Sequence, residues 1–286
     1  MSEFTSFADV LKKLKSEVQT AEPMSRRDYQ QSKVDRYNKT EGNLHEQDGY
    51  NCDICKNKGF VAKLDENDVD IYDICKCRKI RSTLQRARRS GLGDIIKDYT
   101  FDKYKVTDEW QDSIKTKAQD FCRDDNAHWF YIGGQVGCGK THLCTAISAH
   151  YIKAGQEVKY MIWSEDSKRL KSLVNDPAYQ NEISVFKDVD VLYIDDFLKV
   201  RNGETPTTAD MNLAFEIINH RLLSRDKITI ISSEKTLDEI LDYDEATMSR
   251  IYQNAGRYNI SVGRDKSRNY RFKGVNDGQN GIPQPL

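Results

Sequence analysis

From about residue 98 onward, short apolar runs alternate with longer stretches of helical periodicity. The apolar runs are Trp129–Ile132, Val158–Trp163, Val189–Ile194, Ile228–Ser232 and Asn259–Val262. The helical stretches between them are Thr141–Ala154, Glu165–Val174, Thr208–Ser224 and Leu237–Gln253. Strands that alternate with helices predict a parallel sheet covered by helices on both faces. We therefore predict an α/β domain over residues 98–275.

The first 97 residues are polar and divide into three predicted segments. Residues 1–50 carry one short helical face, which must pack on the rest of the chain or on a partner. That face consists of Phe7, Val10, Leu11, Leu14 and Val18. Residues 51–77 hold four cysteines, and residues 78–97 form a basic linker that ends in a glycine hinge at Gly91 and Gly93. Residues 276–286 are predicted to be a disordered tail.

The composition is that of a chain that can bury a core, and it does not identify a partner. Hydrophobic residues make up 38% of the 286 positions and charged residues 31%, so the chain can bury a core. The formal net charge of −1 excludes no partner, because nucleic acid is met by a local basic patch. No apolar run is long enough to span a bilayer, and the N-terminus lacks the pattern of a secretion signal. We therefore expect a cytoplasmic protein with reduced cysteines.

A glycine-rich loop between a predicted strand and a predicted helix indicates a site for nucleotide phosphates. Phe130-Tyr131-Ile132 leads into Gly134–Thr141, and a helix follows. Glycines let backbone N–H groups turn toward phosphates, and the helix N-terminus adds partial positive charge. Lys140 is expected at the β- and γ-phosphates and the Thr141 hydroxyl on Mg²⁺. The predicted ATP-binding set is Gly134, Gly137, Cys138, Gly139, Lys140, Thr141 and His142. A chance glycine-rich turn is the alternative, which the spacing and flanks disfavour.

Two carboxylates end the predicted strand Val189–Ile194. Since α/β ligands bind at the carboxyl edge of a parallel sheet, we assign Asp195 to Mg²⁺ and its water shell. Asp196 is expected to orient or deprotonate the attacking water, although it could instead cap the following turn. Many ATPases have Glu at this position, and the shorter Asp predicts slow hydrolysis.

Cysteine spacing predicts a structural zinc site. Cys52-x-x-Cys55 and Cys75-x-Cys77 offer two pairs of thiolates at a separation that can close a tetrahedral Zn²⁺ site. Four thiolates leave no open coordination position, so catalysis by this metal is not expected. His45 is a possible substitute ligand, and four unrelated free thiols are the alternative.

Several motifs in order resemble those of the DnaC/DnaI-type replicative helicase loaders, particularly phage-encoded ones. The resemblance runs from about Cys52 to Phe272. It rests on Tyr99-Thr100-Phe101-Asp102, Gly134–Thr141, Ile194-Asp195-Asp196-Phe197, Asn219-His220-Arg221, Ile230-Ile231-Ser232-Ser233-Glu234, Ser249-Arg250-Ile251 and Arg268-Asn269-Tyr270-Arg271. It implies an AAA+ P-loop ATPase core with a five-stranded parallel sheet and little or no lid. Preceding that core would be the small zinc-binding module.

The same resemblance implies roles for several residues around the nucleotide. Tyr99 and Phe101 would lie near the adenine. Arg250 would complete the site of a neighbouring subunit, with pairing to Asp244 or Glu245 as the alternative. Where relatives commonly have Asn at the end of the sensor strand, this chain has Glu234. A carboxylate near the γ-phosphate is repulsive, so we expect Ser233 to make the contact and Glu234 to point away.

The second sensor is expected to be Arg268, with Arg271 as the alternative. Lys168, Arg169 and Lys171 would contact single-stranded DNA in the pore of a self-associated ring or spiral, and the basic run Arg78–Arg89 is a second candidate. Both runs could instead be solvated helix faces.

The resemblance implies that the N-terminal module grips a hexameric replicative helicase, which the ATPase core helps to load onto single-stranded DNA. ATP hydrolysis would be slow and stimulated by that DNA. One rival is a transposition helper ATPase of the IstB type, in which a four-cysteine module is not expected. A second is an ATP-gated zinc adapter with little turnover. A small-molecule P-loop kinase is disfavoured by Arg250 and the lack of a lid segment.

Overall fold

The computed structural model describes Lys12 and residues 24–93, 95–201, 204–224 and 226–273 of the chain. The face predicted at Phe7–Val18 and the tail predicted at 276–286 lie outside these residues. The chain divides into two compact units, one ending at Arg81 and one beginning at Ser82. A helix, α3 (Cys77–Arg89), occupies most of the segment predicted as a linker.

The described residues 24–76 of the first unit form two helices and a hairpin. Its elements are α1 (Arg26–Lys39), α2 (Leu44–Asp48), β1 (Phe60–Leu64) and β2 (Asp70–Ile74). The strands pair antiparallel, with Phe60 opposite Ile74 and Leu64 opposite Asp70. Asn38 of α1 exchanges two hydrogen bonds with the Ala62 backbone, at 2.9 and 3.0 Å, and so fixes α1 along the free edge of β1.

The second unit contains the predicted parallel sheet. Its strands are β3 (Trp129–Gly134), β4 (Val158–Ile162), β5 (Val191–Asp195), β6 (Ile228–Ser233) and β7 (Asn259–Val262). They lie in the order β4-β5-β6-β3-β7, and all neighbours are parallel. The five-stranded parallel sheet is therefore confirmed. β3 lies between β6 and β7, so the loop that follows it opens between two neighbouring strand ends.

Helices cover both faces of this sheet because its strands are apolar on both sides. The helices are α4 (Ile95–Asp98), α5 (Glu109–Phe121), α6 (Lys140–Ala154), α7 (Trp163–Ser172), α8 (Tyr179–Asp188), α9 (Thr208–Leu222), α10 (Leu237–Leu241), α11 (Glu245–Ala255) and α12 (Tyr270–Lys273). Short 3₁₀ turns stand at Gly256–Tyr258 and Lys266–Arg268. Tyr131 and Ile194 face one core with α7 to α11, whereas Phe130 and Tyr193 face the other with α5 and α6.

One predicted helix, Leu237–Gln253, is in fact two. α10 ends at Leu241, and α11 starts after Asp244, whose side chain accepts a 3.2 Å hydrogen bond from the Thr247 N–H. An Asp in this position satisfies a backbone donor that a helix start would otherwise leave unpaired, so it favours a new helix. No described helix is both long and apolar enough to cross a membrane.

Arg221, at the end of α9, is fully buried and joins the helix layer to the sheet. Its guanidinium donates to the Thr229 hydroxyl at 2.9 Å, to the Val189 carbonyl at 2.9 Å and to the Ile228 carbonyl at 2.6 Å. Burial lowers the pKa of Arg221 to about 10. The Asn219-His220-Arg221 motif thus ends in a structural residue that caps the amino ends of β5 and β6.

Candidate functional site

The glycine-rich loop leaves β3 and enters α6, as the strand, turn and helix of the motif require. Gly137 and Gly139 have φ of 73° and 94°, a region that other residues rarely adopt. A Cβ on Gly137 would lie 1.9 Å from Oδ1 of Asn269. The loop therefore presents backbone, not side chains, at this point, as a phosphate-binding turn needs.

A cavity of about 540 Å³ opens in front of this loop. It is lined by Tyr99, Lys103, Tyr104, Lys105, Val136, Gly137, Cys138, Gly139, Lys140, Thr141, His142, Asp195, Asp196, Lys199, Glu234, Tyr270 and Arg271. Aromatic and imidazole rings come from one set of these residues and charged groups from another. This division suits a nucleotide, which has an apolar base and an anionic tail.

Lys140 is almost fully buried at the start of α6. Its Nζ donates to the carbonyls of Gly134 at 3.0 Å and Gln135 at 2.7 Å, within the same loop. Burial lowers its pKa, while nearby acidic groups, Glu234 and Asp196 among them, act in the opposite direction. The ammonium is thus held at the loop by partners that phosphate oxygens can replace.

Asp195, at the last position of β5, is the best-connected carboxylate in the cavity. It accepts hydrogen bonds from the Thr141 hydroxyl at 3.2 Å, from the Tyr160 hydroxyl at 2.9 Å and from the Ser232 hydroxyl. The structure therefore brings Thr141 and Asp195, the two predicted Mg²⁺ residues, into contact. A hydroxyl and a carboxylate at this spacing fit a hard cation that prefers oxygen ligands.

Asp196 has a φ of 54°, in the left-handed region, and its carboxylate faces Lys199 instead of capping the following turn. The Lys199 Nζ lies 2.8 Å from Asp196 Oδ2 and 2.8 Å from Glu234 Oε1. Both carboxylates line the cavity. The expectation that Glu234 points away from the site is therefore wrong.

Ser233 also differs from its predicted role. Its side chain is buried, and its hydroxyl donates to the Phe197 carbonyl at 2.9 Å. Ser232, one position earlier, has the hydroxyl that bonds Asp195. The reason is the alternation of a strand, which turns successive side chains to opposite faces. Ser233 thus stabilises the turn after β5, and its sensor assignment finds no support in these contacts.

Two tyrosine rings contact the His142 ring in the cavity. Tyr99 stacks on the His142 ring at 4.9 Å, and Tyr104 meets it edge-on at 5.2 Å. The His142 Nε2 is 2.8 Å from the Thr100 carbonyl, an acceptor, so this nitrogen carries the proton. Burial lowers the His142 pKa, which favours the neutral ring. Tyr99 and His142 line the cavity, whereas Phe101 packs against the core beside α5 and α6.

The two candidates for the second sensor lie in different elements. Arg268 ends a 3₁₀ turn, where it lies over the Trp110 ring at 5.4 Å and 4.0 Å from Asp265. Arg271, in α12, lines the cavity. The preference for Arg268 is therefore not supported by position, because of these two residues only Arg271 lines the cavity.

Arg250 stands outside the cavity, exposed on α11. It donates to Oδ1 of Asn219 at 2.8 Å and lies over the Phe215 ring at 5.9 Å. It pairs with neither Asp244 nor Glu245, since Asp244 caps its own helix. An exposed guanidinium away from its own site is compatible with action on another copy.

The basic residues predicted to contact DNA differ in their availability. Lys171 is paired with Asp210, and Arg169 with Glu182 and, at 3.4 Å, with Asp166. Lys168 is exposed and has no ion-pair partner in the described part of the chain. In the second basic run, Arg78–Arg89, Arg81 is buried and paired with Asp48, so its guanidinium cannot contact a phosphate backbone.

The four predicted cysteines of the first unit come together. Their sulfurs all lie within 4.8 Å of one another, with Cys52 and Cys75 at 3.8 Å and Cys55 and Cys77 at 3.5 Å. A tetrahedral Zn–S₄ site has sulfurs about 3.8 Å apart, so the cluster has the size of such a site. His45 is not part of it.

Local backbone supports the same cluster. Lys56 and Asn57 have φ of 46° and 63°, and this turn brings the Gly59 N–H to 3.2 Å from the Cys55 sulfur. Burial raises the Cys55 pKa, but hydrogen bonds from Gly59 and the other thiols outweigh it and set the value at about 7. Two pairs of thiols and a backbone donor aimed at sulfur fit a thiophilic cation such as Zn²⁺.

The sequence motifs do not predict a role at the site for four residues that lie there: Tyr160, Tyr104, Lys199 and Ser232. Tyr160 lies on β4 directly opposite Tyr193 of β5. Because Tyr193 is two residues before Asp195, the side chains of all three residues lie on the same face of the sheet. Only the order and register of the strands place it at the site. Tyr104 donates to the Cys138 carbonyl at 3.3 Å, a contact across 34 positions. No local signal identifies either residue.

The chain is similar in sequence to several known proteins. A model of the bacterial DnaA ATPase domain matches residues 95–256. The YqaM protein of Bacillus subtilis (strain 168) is 31% identical over 211 residues, which cover 69% of this chain and 66% of YqaM. The phage-like element PBSX protein XkdC of the same organism is 28% identical over 240 residues, covering 79% of this chain and 88% of XkdC.

A solved structure shares the fold. The crystal structure of the DnaC helicase loader matches with a TM-score of 0.51 at 20% identity, over 60% of this chain and all of that one.

Proposed function

We propose that this chain, which belongs to the family of bacterial DnaA ATPase domains, is an ATP-dependent loader of a hexameric replicative helicase. The observation that carries the proposal is the combination, in one chain, of an AAA+ nucleotide site and a compact four-thiol unit. The first supplies a nucleotide-dependent assembly step, and the second supplies a small rigid surface for a partner. The fold shared with the DnaC helicase loader supports this reading.

The charged and hydroxyl groups of the cavity are assigned tasks in ATP hydrolysis. Lys140 and the loop amides bind the phosphates, and Thr141 and Asp195 hold Mg²⁺, which neutralises phosphate charge when bound. Asp196 orients the attacking water. Because Asp is shorter than Glu and Lys199 engages this carboxylate, we expect slow turnover by the isolated protein.

Self-association is proposed to complete the site. Arg250 is exposed and outside its own cavity, so it can reach a γ-phosphate only on a second copy. A guanidinium there stabilises the charge that develops during phosphoryl transfer. ATP would then favour the assembled form, and hydrolysis would release it.

Single-stranded DNA is proposed to contact α7, chiefly through Lys168. Arg169 and Lys171 would have to leave their carboxylate partners to take part. Neutralising Lys168 alone should therefore weaken DNA binding, and neutralising all three should weaken it further. Undiminished binding by the triple variant would remove α7 from the interface.

The deciding experiment is co-purification with replicative hexamers, including that of Bacillus subtilis, the organism of the two relatives, in ATP and in ADP. Zinc content is measured on the same sample, and ATPase activity is measured with and without single-stranded DNA. An ATP-dependent complex that contains zinc, with DNA-stimulated hydrolysis, is expected. Binding to the hexamer without measurable hydrolysis would favour the zinc adapter. No association with any hexamer would favour the IstB-type transposition helper.

A further inference from the structure

Lys199 is held in the nucleotide cavity between two carboxylates. Its Nζ is 2.8 Å from an oxygen of Asp196 and 2.8 Å from an oxygen of Glu234. These carboxylates follow β5 and β6, neighbouring strands that end at the same edge of the sheet. The side chains of all three residues are about one third exposed, at 37%, 33% and 34%, so the cluster faces the cavity and not the core.

The backbone turn that positions Lys199 has an unfavourable conformation. Asp196 and Leu198 both have φ of 54°, a region that non-glycine residues avoid. Between them, Phe197 is fully buried against Trp163, and its N–H donates to the Ser232 carbonyl at 2.8 Å. The Lys199 N–H donates to the Asp196 carbonyl at 3.0 Å and closes the turn. The core therefore fixes a strained turn whose result is to place an ammonium above Asp196.

Charge balance at this part of the cavity calls for such an ammonium. Asp195, Asp196 and Glu234 supply three carboxylates where an ATP tail would add several more negative charges. Glu234 and Asp196 lie close enough to Lys140 to raise its pKa against the effect of burial. A phosphate that Lys140 contacts would lie in the cavity that these two carboxylates line, and Lys199 would offset their repulsion in addition to the Mg²⁺ proposed at Thr141 and Asp195.

The geometry points to Lys199 as a second lysine that contacts the terminal phosphate of ATP, with Glu234 positioning it. The inference rests on the proposed ATPase function and adds a residue to it. It also gives the Glu234 carboxylate a use at the end of the sensor strand. Glu234 holds a cation there, in place of the neutral amide common in relatives.

The test compares nucleotides that differ only in that phosphate. Affinities for a non-hydrolysable ATP analogue and for ADP are measured by calorimetry with Mg²⁺ on the full chain, for wild type, Lys199→Met and Glu234→Gln. Lys199→Met should bind the analogue roughly tenfold or more weakly, because a charge-assisted hydrogen bond is lost, and ADP within about twofold of wild type. Lys117→Met, on α5 and away from the cavity, is the matched control and should bind both nucleotides as wild type does.

Glu234→Gln separates a phosphate contact from a merely structural ion pair. Its amide oxygen still accepts from Lys199 while one negative charge is removed, so analogue affinity should stay equal or rise. If Lys199→Met and Glu234→Gln weaken both nucleotides alike, the pair is structural and the inference is overturned. It is also overturned if Lys199→Met keeps wild-type affinity for the analogue, with or without faster turnover. Failure of the wild-type protein to bind the analogue would instead reject the proposed ATPase function.

Discussion

The Tyr160 hydroxyl donates a 2.9 Å hydrogen bond to Oδ2 of Asp195, so the edge strand of the sheet holds the carboxylate that ends the next strand. Burial and the Asp195 charge raise the pKa of Tyr160, which keeps the phenol protonated as a donor. With Thr141 and Ser232 on its other sides, Asp195 has little freedom to rotate. The carboxylate that we propose binds Mg²⁺ is thereby oriented in advance.

Tyr160→Phe is therefore expected to lower kcat/KM for ATP about tenfold and to raise the Mg²⁺ concentration needed for half-maximal activity. A hydrogen bond to a charged group contributes about 1.5–3 kcal/mol, and part of this is recovered by solvent at a half-buried site. The measurement is steady-state ATPase activity across a Mg²⁺ titration. Tyr179→Phe removes a comparable hydroxyl, bonded to Glu216 at 2.7 Å away from the cavity, and should leave both quantities unchanged. Equal Mg²⁺ dependence in Tyr160→Phe and wild type would contradict the positioning role.

Arg250→Ala should bind ATP normally yet hydrolyse it on the order of 10³-fold more slowly, as removal of an arginine finger does. Lys140→Met should fail to bind ATP because its loop loses the buried ammonium. Mixed in equal amounts, the two inactive proteins should regain part of the activity, since the Lys140→Met copy can offer its Arg250 to a neighbour's intact site. ATPase assays on the mixture, over a range of protein concentrations, measure this. Mixtures that stay inactive would place Arg250 outside the reaction.

The zinc content of the protein should depend on the four cysteines of the first unit. Wild-type protein purified without chelator should contain about one zinc per chain, and Cys55→Ser should contain much less, because three thiolates bind weakly. Cys122→Ser, which alters a half-buried thiol at the end of α5, should retain full zinc. Atomic absorption gives the content, and hydrogen exchange over residues 52–77 should accelerate when a chelator removes the metal. Full protection in chelator would argue against a structural metal.

Arg221→Met should destabilise the second unit by about 3–5 kcal/mol, because several buried carbonyls lose their donor together. Denaturant unfolding followed by tryptophan fluorescence reports this, since Trp129 and Trp163 lie in the core. Arg123→Met removes an exposed guanidinium paired with Asp120 at 3.3 Å and should change the free energy of unfolding by less than about 0.5 kcal/mol. Comparable effects for the two variants would show that Arg221 is not the structural link between α9 and the sheet.

Those features that depend on short stretches of sequence could be predicted. The backbone of the P-loop follows from the spacing of Gly134, Gly137 and Gly139, and the burial of the strand before it follows from its continuous apolar run. The two members of each cysteine pair are close in sequence, and the β1–β2 hairpin brings the two pairs together. The family resemblance drawn from these motifs is confirmed by the match to the bacterial DnaA ATPase domain and by the shared DnaC fold.

Features that depend on strand order or on a single turn could not be predicted. Tyr160 reaches Asp195 only because β4 lies beside β5, and Ser232 replaces Ser233 at the carboxylate through the alternation of one strand. Arg271 lines the cavity whereas Arg268, at the end of a 3₁₀ turn, lies over Trp110, a contact that the motif does not indicate. Glu182 and Asp210, which pair with Arg169 and Lys171, come from α8 and α9, and no pattern within α7 indicates these two partners.

The burial of Phe197 divides the nucleotide site into parts with unequal freedom. Asp195 and Asp196 are carried by a strand end and a turn that the core anchors, so these two acids cannot travel without disturbing Trp163 and β6. Lys140, Lys199 and Arg250 reach their present partners through long, flexible side chains. In the proposed cycle, we expect the difference between the ATP and ADP forms to begin with these cations changing acceptors while the two carboxylates keep their positions. Such a cycle would need little backbone movement at each turnover and would leave the larger motion to the proposed contacts between copies.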